Sequence, residues 1–221
     1  MPRILFEKVG DAVYISHLDL MRVFQRAFRR AGILIRHSQG YNPRAYVSIA
    51  LPLSVGTESV CELLDFELAE GVDVSLKDIP SLLNRSMPAG VRALEIWETG
   101  RKLRELTHLD AELLLEYDAG VPENAAAELE DFFCGDSPIT VSKKTKSGPA
   151  EIDIRPMILK LQLEPKSSWE LRILCRVCAQ NPSLNPALLG DAIALHLPGL
   201  KPDFVRVKRL EIFDAGGTPF R

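Results

Sequence analysis

Apolar residues follow two different periods along the chain, and together they predict alternating strands and helices. Between Leu20 and Ala31 they recur every three to four residues, which is the spacing of one buried helix face. Between Cys61 and Leu68 the two faces alternate, as in a strand. Within residues 1–100 the predicted order is β-α-β-β-α-β, in these segments: Arg3–Glu7, Ser16–Ala31, Arg44–Leu53, Cys61–Leu68, Ser75–Met87 and Val91–Glu98.

The same order recurs after a polar segment, residues 99–106, that we interpret as a linker. The predicted elements there are Ala111–Tyr117, Pro122–Cys134, Ile139–Lys143, Met157–Leu163, Glu170–Ala179, Pro186–Leu197 and Val205–Phe213. The string is again β-α-β-β-α-β with one additional strand, which is typical of ferredoxin-like domains. We therefore expect an α+β fold of two tandem ferredoxin-like halves, residues 1–100 and 108–213, each an antiparallel sheet with two helices. A single mixed α/β domain is the alternative, and residues 214–221 are expected to form a mobile tail.

The first predicted helix carries the strongest candidate for a binding surface. Ser16 is placed to begin it as an N-cap, Asp19 has the capping-box spacing, and Gly32 ends it. Because no Asp or Glu lies between Asp19 and Glu58, the arginines on the polar face repel one another. This favours an anion-binding face, above all for nucleic acid phosphates, over an ordinary solvated helix face. The arginines are Arg22, Arg26, Arg29 and Arg30.

The loop that follows, residues 37–44, is rich in hydrogen-bonding side chains and in turn-forming residues. Gly40 and the Asn42-Pro43 pair mark turns. Aromatic, amide and guanidinium groups are the ones that stack on unpaired bases and read their edges. The candidate nucleic-acid-binding residues here are Gln39, Tyr41, Asn42 and Arg44; the alternative is an ordinary connection.

A second basic segment lies in the other half of the chain. It contains Lys143, Lys144 and Lys146, followed by Gly148-Pro149, and it predicts an exposed turn. Lysines in such a turn contact phosphates without reading sequence. The alternative is a solvated hairpin tip.

The net charge of −3 conceals an uneven distribution of positive and negative residues along the chain. Residues 1–50 hold eight Lys and Arg against three Asp and Glu, residues 51–135 hold six against eighteen, and residues 136–221 hold thirteen against nine. Local potential decides binding, so the total does not exclude an RNA partner. The acidic middle, Glu58–Asp131, leaves open a protein-interaction adaptor that docks a basic partner.

Catalysis would need a general base and a cation at the same phosphate. His17, His37 and Tyr41, beside Arg22 and Arg44, are the candidates for a metal-independent endoribonuclease, and structural roles are the alternative. The histidines lack a familiar metal-binding spacing, and no glycine-rich phosphate loop is present. We therefore expect no metal and no cofactor. We favour a non-catalytic protein over an enzyme.

Four cysteines are too few and too scattered for a disulfide framework. Cys175 and Cys178 form a C-x-x-C pair within a strand-like stretch, where residues three apart point to opposite faces. We expect structural thiols there. The sequence shows no apolar run that could span a membrane and no secretory signal, which predicts a cytoplasmic protein.

Six segments share a pattern with known proteins. They are Tyr14–Arg22, Arg26–Gly32, Ser38–Pro43, Ala50–Gly56, Glu62–Asp65 and, more weakly, Glu151–Pro156. On these segments the chain resembles a bacterial family of unknown function, the radical-SAM-linked or radical-SAM-associated proteins. Members occur alone or joined to the C-terminal side of a radical SAM enzyme, so the resemblance implies an accessory role with such an enzyme as partner. Tyr41 stands where relatives tend to have Phe, and the resemblance supplies no catalytic residues.

These observations predict a non-catalytic accessory module that binds RNA of the tRNA or rRNA class. Its expected partner is a radical SAM or RNA-processing enzyme. The endoribonuclease and the protein-interaction adaptor remain as alternatives.

Overall fold

The chain forms two compact units, Met1–Leu103 and Arg104–Phe220, in a computed structural model that describes residues 1–145 and 148–221. The fold is α+β: within the described residues, four α-helices accompany antiparallel strands.

The first unit has the order strand, helix, strand, strand, helix, strand. Its elements are β1 (Pro2–Lys8), α1 (His17–Arg30), β2 (Val47–Ile49), β3 (Thr57–Phe66), α2 (Ile79–Asn84) and β4 (Val91–Glu98). β1 lies between β4 and β3, and all pairings are antiparallel. Leu64 and Asp65 pair with both β1 and β2, so β2 lies along the other edge of β3.

Helix α1 packs the apolar face that its sequence predicts. Ser16 is the N-cap: its hydroxyl oxygen accepts the Asp19 backbone N–H at 3.2 Å and donates to the Asp19 carboxylate at 2.7 Å. The Phe24 ring lies 4.7 Å from that of Phe6, edge to face, and the Phe28 ring lies 4.8 Å from that of Phe66. Buried aromatic side chains contribute about 1.5–3 kcal/mol each, so these contacts fix α1 on the sheet.

Two predicted elements of the first unit are shorter than expected. The strand predicted over Arg44–Leu53 is reduced to β2, because Ala45 pairs with His37 instead and Leu51 has a φ of +44°. The helix predicted over Ser75–Met87 is a 3-10 turn followed by α2. It ends at Asn84, whose amide side chain donates to the Ala93 carbonyl and accepts its N–H, both at 2.8 Å.

A buried ion pair joins β1 to β3. Arg3 and Asp65 stand directly opposite each other, and the guanidinium donates through Nε at 2.6 Å and Nη2 at 2.9 Å to the two carboxylate oxygens. Nη2 also donates to the Arg101 carbonyl at 2.8 Å. Arg3 is fully buried, so its charge is stabilised by these partners in place of water.

The second unit repeats the order of the first with an inserted hairpin. Its elements are β5 (Leu106–Glu116), α3 (Ala125–Cys134), β6 (Thr140–Thr145), β7 (Gly148–Asp153), β8 (Ile158–Pro165), β9 (Glu170–Cys178), α4 (Ala187–His196) and β10 (Phe204–Asp214). The strand order is β10-β5-β9-β8, and β6 and β7 pair separately.

Two features of this unit differ from the sequence-based expectation. The strand predicted over Ile139–Lys143 continues to Thr145 and pairs with β7, which was not predicted. Residues 214–221, expected to form a mobile tail, instead fold back along β10. The Phe220 side chain is fully buried, and its N–H donates to the Ile212 carbonyl at 2.8 Å.

Replacing Asp65 with Ala should leave the buried Arg3 charge without its carboxylate partner. We expect the free energy of unfolding to fall by about 3–5 kcal/mol, measured by urea denaturation. Asp73→Ala removes an exposed carboxylate and is the control, with an expected change within about 0.5 kcal/mol. Equal losses in the two variants would contradict a structural role for the pair.

Candidate functional site

The four arginines predicted to form a binding face all point away from the core of the first unit. Arg22, Arg26, Arg29 and Arg30 are exposed, opposite the buried side of α1. Arg29 lies seven positions after Arg22, which is about 10 Å along the helix axis. We call these four residues the arginine face.

One carboxylate touches the arginine face. The Arg22 guanidinium donates to Asp19 at 2.7 Å, with more than half of each side chain exposed. Hydrogen bonds from the Ser16 hydroxyl and from Arg22 lower the pKa of Asp19, so this carboxyl group is ionised at neutral pH. The other three arginines form no ion pair with any carboxylate in the described part of the chain.

Beyond the helix, residues 35–46 form a narrow antiparallel ribbon. His37 pairs with Ala45, the Ser38 N–H donates to the Arg44 carbonyl at 2.8 Å, and the Tyr46 N–H donates to the Arg36 carbonyl at 2.9 Å. The ribbon is tied to the residue after β3, because the Arg36 N–H donates to the Glu67 carbonyl at 2.8 Å. These bonds give the loop a fixed base.

The tip of the ribbon presents side chains that have no partner within the described residues. Tyr41 is 100% exposed, and Gln39, Asn42 and Arg44 are exposed as well. Gly40 has a φ of +122°, a conformation that other residues rarely adopt, and it makes the turn possible. One aromatic ring, two amides and one guanidinium are thus available at the tip.

Sequence reasoning missed a stacked pair at the base of the ribbon. The Arg36 guanidinium lies over the Tyr46 ring, 4.0 Å from its centroid, and forms an ion pair with Glu67. Both Arg36 and Tyr46 are exposed. An Arg ten residues before a Tyr carries no local signal, and only the pairing of His37 with Ala45 would have indicated it.

The candidate catalytic histidines lie at opposite ends of the first unit. His17 is the first residue of α1 and lies near the start of β3. The link is a hydrogen bond in which the N–H of Gly56, just before β3, donates to the carbonyl of the nearby Val13. His37 lies in the ribbon, which is attached beyond the other end of β3. The ten residues of β3 span about 30 Å. The structure therefore does not bring the two histidines to a common phosphate, although His37, Tyr41 and Arg44 share the ribbon.

The predicted lysine cluster is only partly described. Lys143 and Lys144 belong to β6, and Lys146 lies outside the described residues. The neighbouring Asp153 and Arg155 side chains bind main-chain groups. Asp153 accepts the N–H groups of Ile139 and Arg155 at 2.9 and 3.0 Å, while the Arg155 side chain donates to main-chain carbonyls.

Several carboxylates of the acidic middle segment form ion pairs within their own unit. In the first unit, Arg3 pairs with Asp65 and Arg36 pairs with Glu67. In the second unit, the Arg176 guanidinium donates to the two carboxylate oxygens of Asp110 at 2.7 and 2.9 Å. Arg172 contacts Glu112 and Glu164, and Arg206 contacts Glu116 and Glu170. Part of the negative charge is thereby paired internally, whereas Glu70, Asp73 and Glu128 are exposed.

The C-x-x-C cysteines occupy opposite faces of β9. Cys175 is buried, and burial raises its pKa to about 12, while burial also raises the pKa of the half-exposed Cys178. Among the residues that the structure describes, no three His, Cys, Asp or Glu side chains are arranged to hold a metal ion. No helix in the described chain is both long and apolar enough to cross a membrane.

A family model described as an uncharacterized protein conserved in bacteria (DUF2344) matches residues 2–186. The chain belongs to this family. Membership confirms the expected class, a bacterial protein family of unknown function. No curated protein sequence matches the chain.

Two of the solved structures that match the chain are of complexes that contain Cbf5 and Nop10. A chain of a crystal structure of a Cbf5–Nop10–Gar1 complex matches with a TM-score of 0.53 at 9% identity, over 97% of this chain and 50% of that one. A chain of the archaeal box H/ACA sRNP Nop10–Cbf5 complex matches with a TM-score of 0.48 at 10% identity, over 94% and 46%. The DUF2344 chain thus spans about half of the chains it matches, and the first likeness shows the fold alone.

The thiols should react with iodoacetamide in the order of their exposure. In the folded protein we expect the exposed Cys134 to be alkylated first, Cys178 slowly, and Cys175 only after denaturation, because a thiol with a raised pKa holds little thiolate. Peptide mass spectrometry measures the order. Joint protection of Cys175 and Cys178 that depends on added zinc would contradict the structural role.

Proposed function

We propose that this DUF2344 protein is a non-catalytic accessory module that binds RNA through the arginine face and the ribbon. The observation that carries the proposal is the exposure of four arginines on one side of α1, three of them without a carboxylate partner among the described residues. Like charges three or four residues apart destabilise an isolated helix. A polyanion that lies along α1 would remove this repulsion.

Arginine suits such a role better than lysine. Its planar guanidinium donates two parallel hydrogen bonds to a phosphate and is weakly hydrated. Each phosphate neutralised also releases counterions, which makes binding favourable at low salt. Arg29 and Arg30 lie in the last turn of α1, a few residues from the ribbon, so one ligand can contact both.

The class of RNA and the partner enzyme are also part of the proposal. A tRNA or rRNA fits a module that binds phosphates and loop bases together. A radical SAM or RNA-processing enzyme as partner rests on the family resemblance in the first 65 residues. The proposed role is to hold the RNA while the partner acts on it.

We also propose that both units are ferredoxin-like. The supporting observations are the strand orders β4-β1-β3-β2 and β10-β5-β9-β8, each with two helices between strands. The hairpin β6–β7 is then an insertion in the second unit. The match to the Cbf5–Nop10–Gar1 chain concerns fold only, so the RNA proposal rests on this chain's own surface.

The two alternatives have weaker support. An endoribonuclease using both histidines would need them at one phosphate, and they lie at opposite ends of the first unit. An adaptor with an acidic docking surface would need free carboxylates, and three in that segment, Asp110, Glu112 and Glu116, are held in ion pairs instead.

Replacing Arg22, Arg26 and Arg29 together with Ala should weaken RNA binding. We expect a loss of at least tenfold, on the order of what three phosphate contacts supply at moderate salt, and a shallower dependence of log K on log salt by about 2. Fluorescence anisotropy with labelled tRNA measures both. The control replaces Lys77, Arg92 and Lys166, which are exposed elsewhere and carry the same total charge. An equal loss in the control would mean that only net charge matters.

Replacing Asp19 with Asn should strengthen RNA binding. The substitution removes the carboxylate that contacts Arg22 and frees its guanidinium. We expect a few-fold tighter complex at low salt that converges with the wild type at high salt, because screening removes the difference. Anisotropy titrations at several salt concentrations test this, and weaker binding by Asp19→Asn at low salt would contradict it.

A further inference from the structure

One face of the ribbon carries the side chains of Arg36, Arg44 and Tyr46. The pairing of His37 with Ala45 places Arg36 opposite Tyr46 and Ser38 opposite Arg44. Because cross-strand partners share a face and neighbours alternate, these four side chains lie on one face, and His37 and Ala45 lie on the other. The tip with Tyr41 continues from this ribbon.

The stacked pair on this face is held in place. Glu67 binds the Arg36 guanidinium from the strand side, while the Tyr46 ring supports one of its planar surfaces at 4.0 Å. About half of the Arg36 side chain remains exposed, at 48%, and Tyr46 is 40% exposed. A guanidinium stacked on an aromatic ring has a second planar surface that can receive another flat group.

The tip supplies a second planar surface. Tyr41 is fully exposed, although burying a tyrosine ring in a core would stabilise the fold. It projects from a base that several hydrogen bonds keep in place. Gln39 and Asn42 flank it with amides that can donate to and accept from base edges.

Stacking surfaces of this kind select for unpaired bases. In a duplex the faces of each base are covered by its neighbours, whereas a single-stranded base can be splayed out onto a side chain. We propose that the ribbon is a stacking platform for unpaired nucleotides, with Tyr41 and the Arg36–Tyr46 pair as its two surfaces. The proposal rests on the proposed RNA binding and restricts it: the RNA must offer a single-stranded segment beside the phosphates that the arginine face holds.

The test compares two probes by fluorescence anisotropy: a labelled short oligoadenylate and an RNA duplex of the same length. The wild-type protein should favour the single strand. The double substitution Tyr41→Leu/Tyr46→Leu should weaken single-strand binding on the order of tenfold, with little change for the duplex and an unchanged salt dependence. Tyr41→Phe/Tyr46→Phe keeps the rings and should bind like the wild type.

Two further variants separate stacking from charge and from general exposure. Arg36→Lys keeps the charge but loses the planar group, so it should weaken binding of the single strand alone. Tyr14→Leu removes a tyrosine that is 73% exposed at the other end of the unit and should change nothing. Quenching of 2-aminopurine placed in the oligonucleotide reports stacking directly, and Tyr41→Leu should reduce it. Because Tyr41 is fully exposed, this single variant keeps the test independent of folding.

Equal affinity for the two probes, or no effect of the leucine substitutions, would overturn the stacking platform. If binding is still salt-dependent in that case, the RNA-binding proposal survives without it. If neither probe nor tRNA binds at any salt concentration, both proposals fail.

Discussion

The bidentate contact of Arg3 with Asp65 is the constraint on which the first unit depends. A buried guanidinium without a carboxylate costs several kcal/mol, so β1 and β3 have one acceptable register. A slip by one residue would also move every side chain to the wrong face of the sheet. The ribbon is tied to Glu67, two residues beyond Asp65, so the same pair fixes where the ribbon leaves the sheet.

The arginine face follows from the distribution of charge. Several arginines outside α1 form an ion pair with a carboxylate on a neighbouring strand, as Arg172 and Arg176 do. From the start of α1 to Glu58 the sequence offers only Asp19 as a carboxylate. Three arginines without a carboxylate partner among the described residues are therefore gathered on one helix.

Local patterns predicted much of the fold. Strand β4 was predicted with its observed limits, and Ser16 caps α1 as its spacing indicated. What local patterns could not predict were pairings over long separations. The sequence of Arg44–Tyr46 alternates like a strand and was predicted as part of the strand that contains β2. In the structure the turn at Gly40 brings Ala45 opposite His37 instead. The Arg36–Tyr46 stack and the partner of Arg3 were missed for the same reason, whereas the four exposed arginines followed from helical periodicity alone.

The hydrogen bonds at the base of the ribbon have a kinetic consequence. Residues whose backbone is already ordered have lost their conformational freedom during folding, so that entropy is not lost again when a ligand arrives. A ligand that docks on the ribbon meets a backbone that is already in its final conformation at the base. Association should then be governed by diffusion and electrostatic attraction, without a slow rearrangement of the protein.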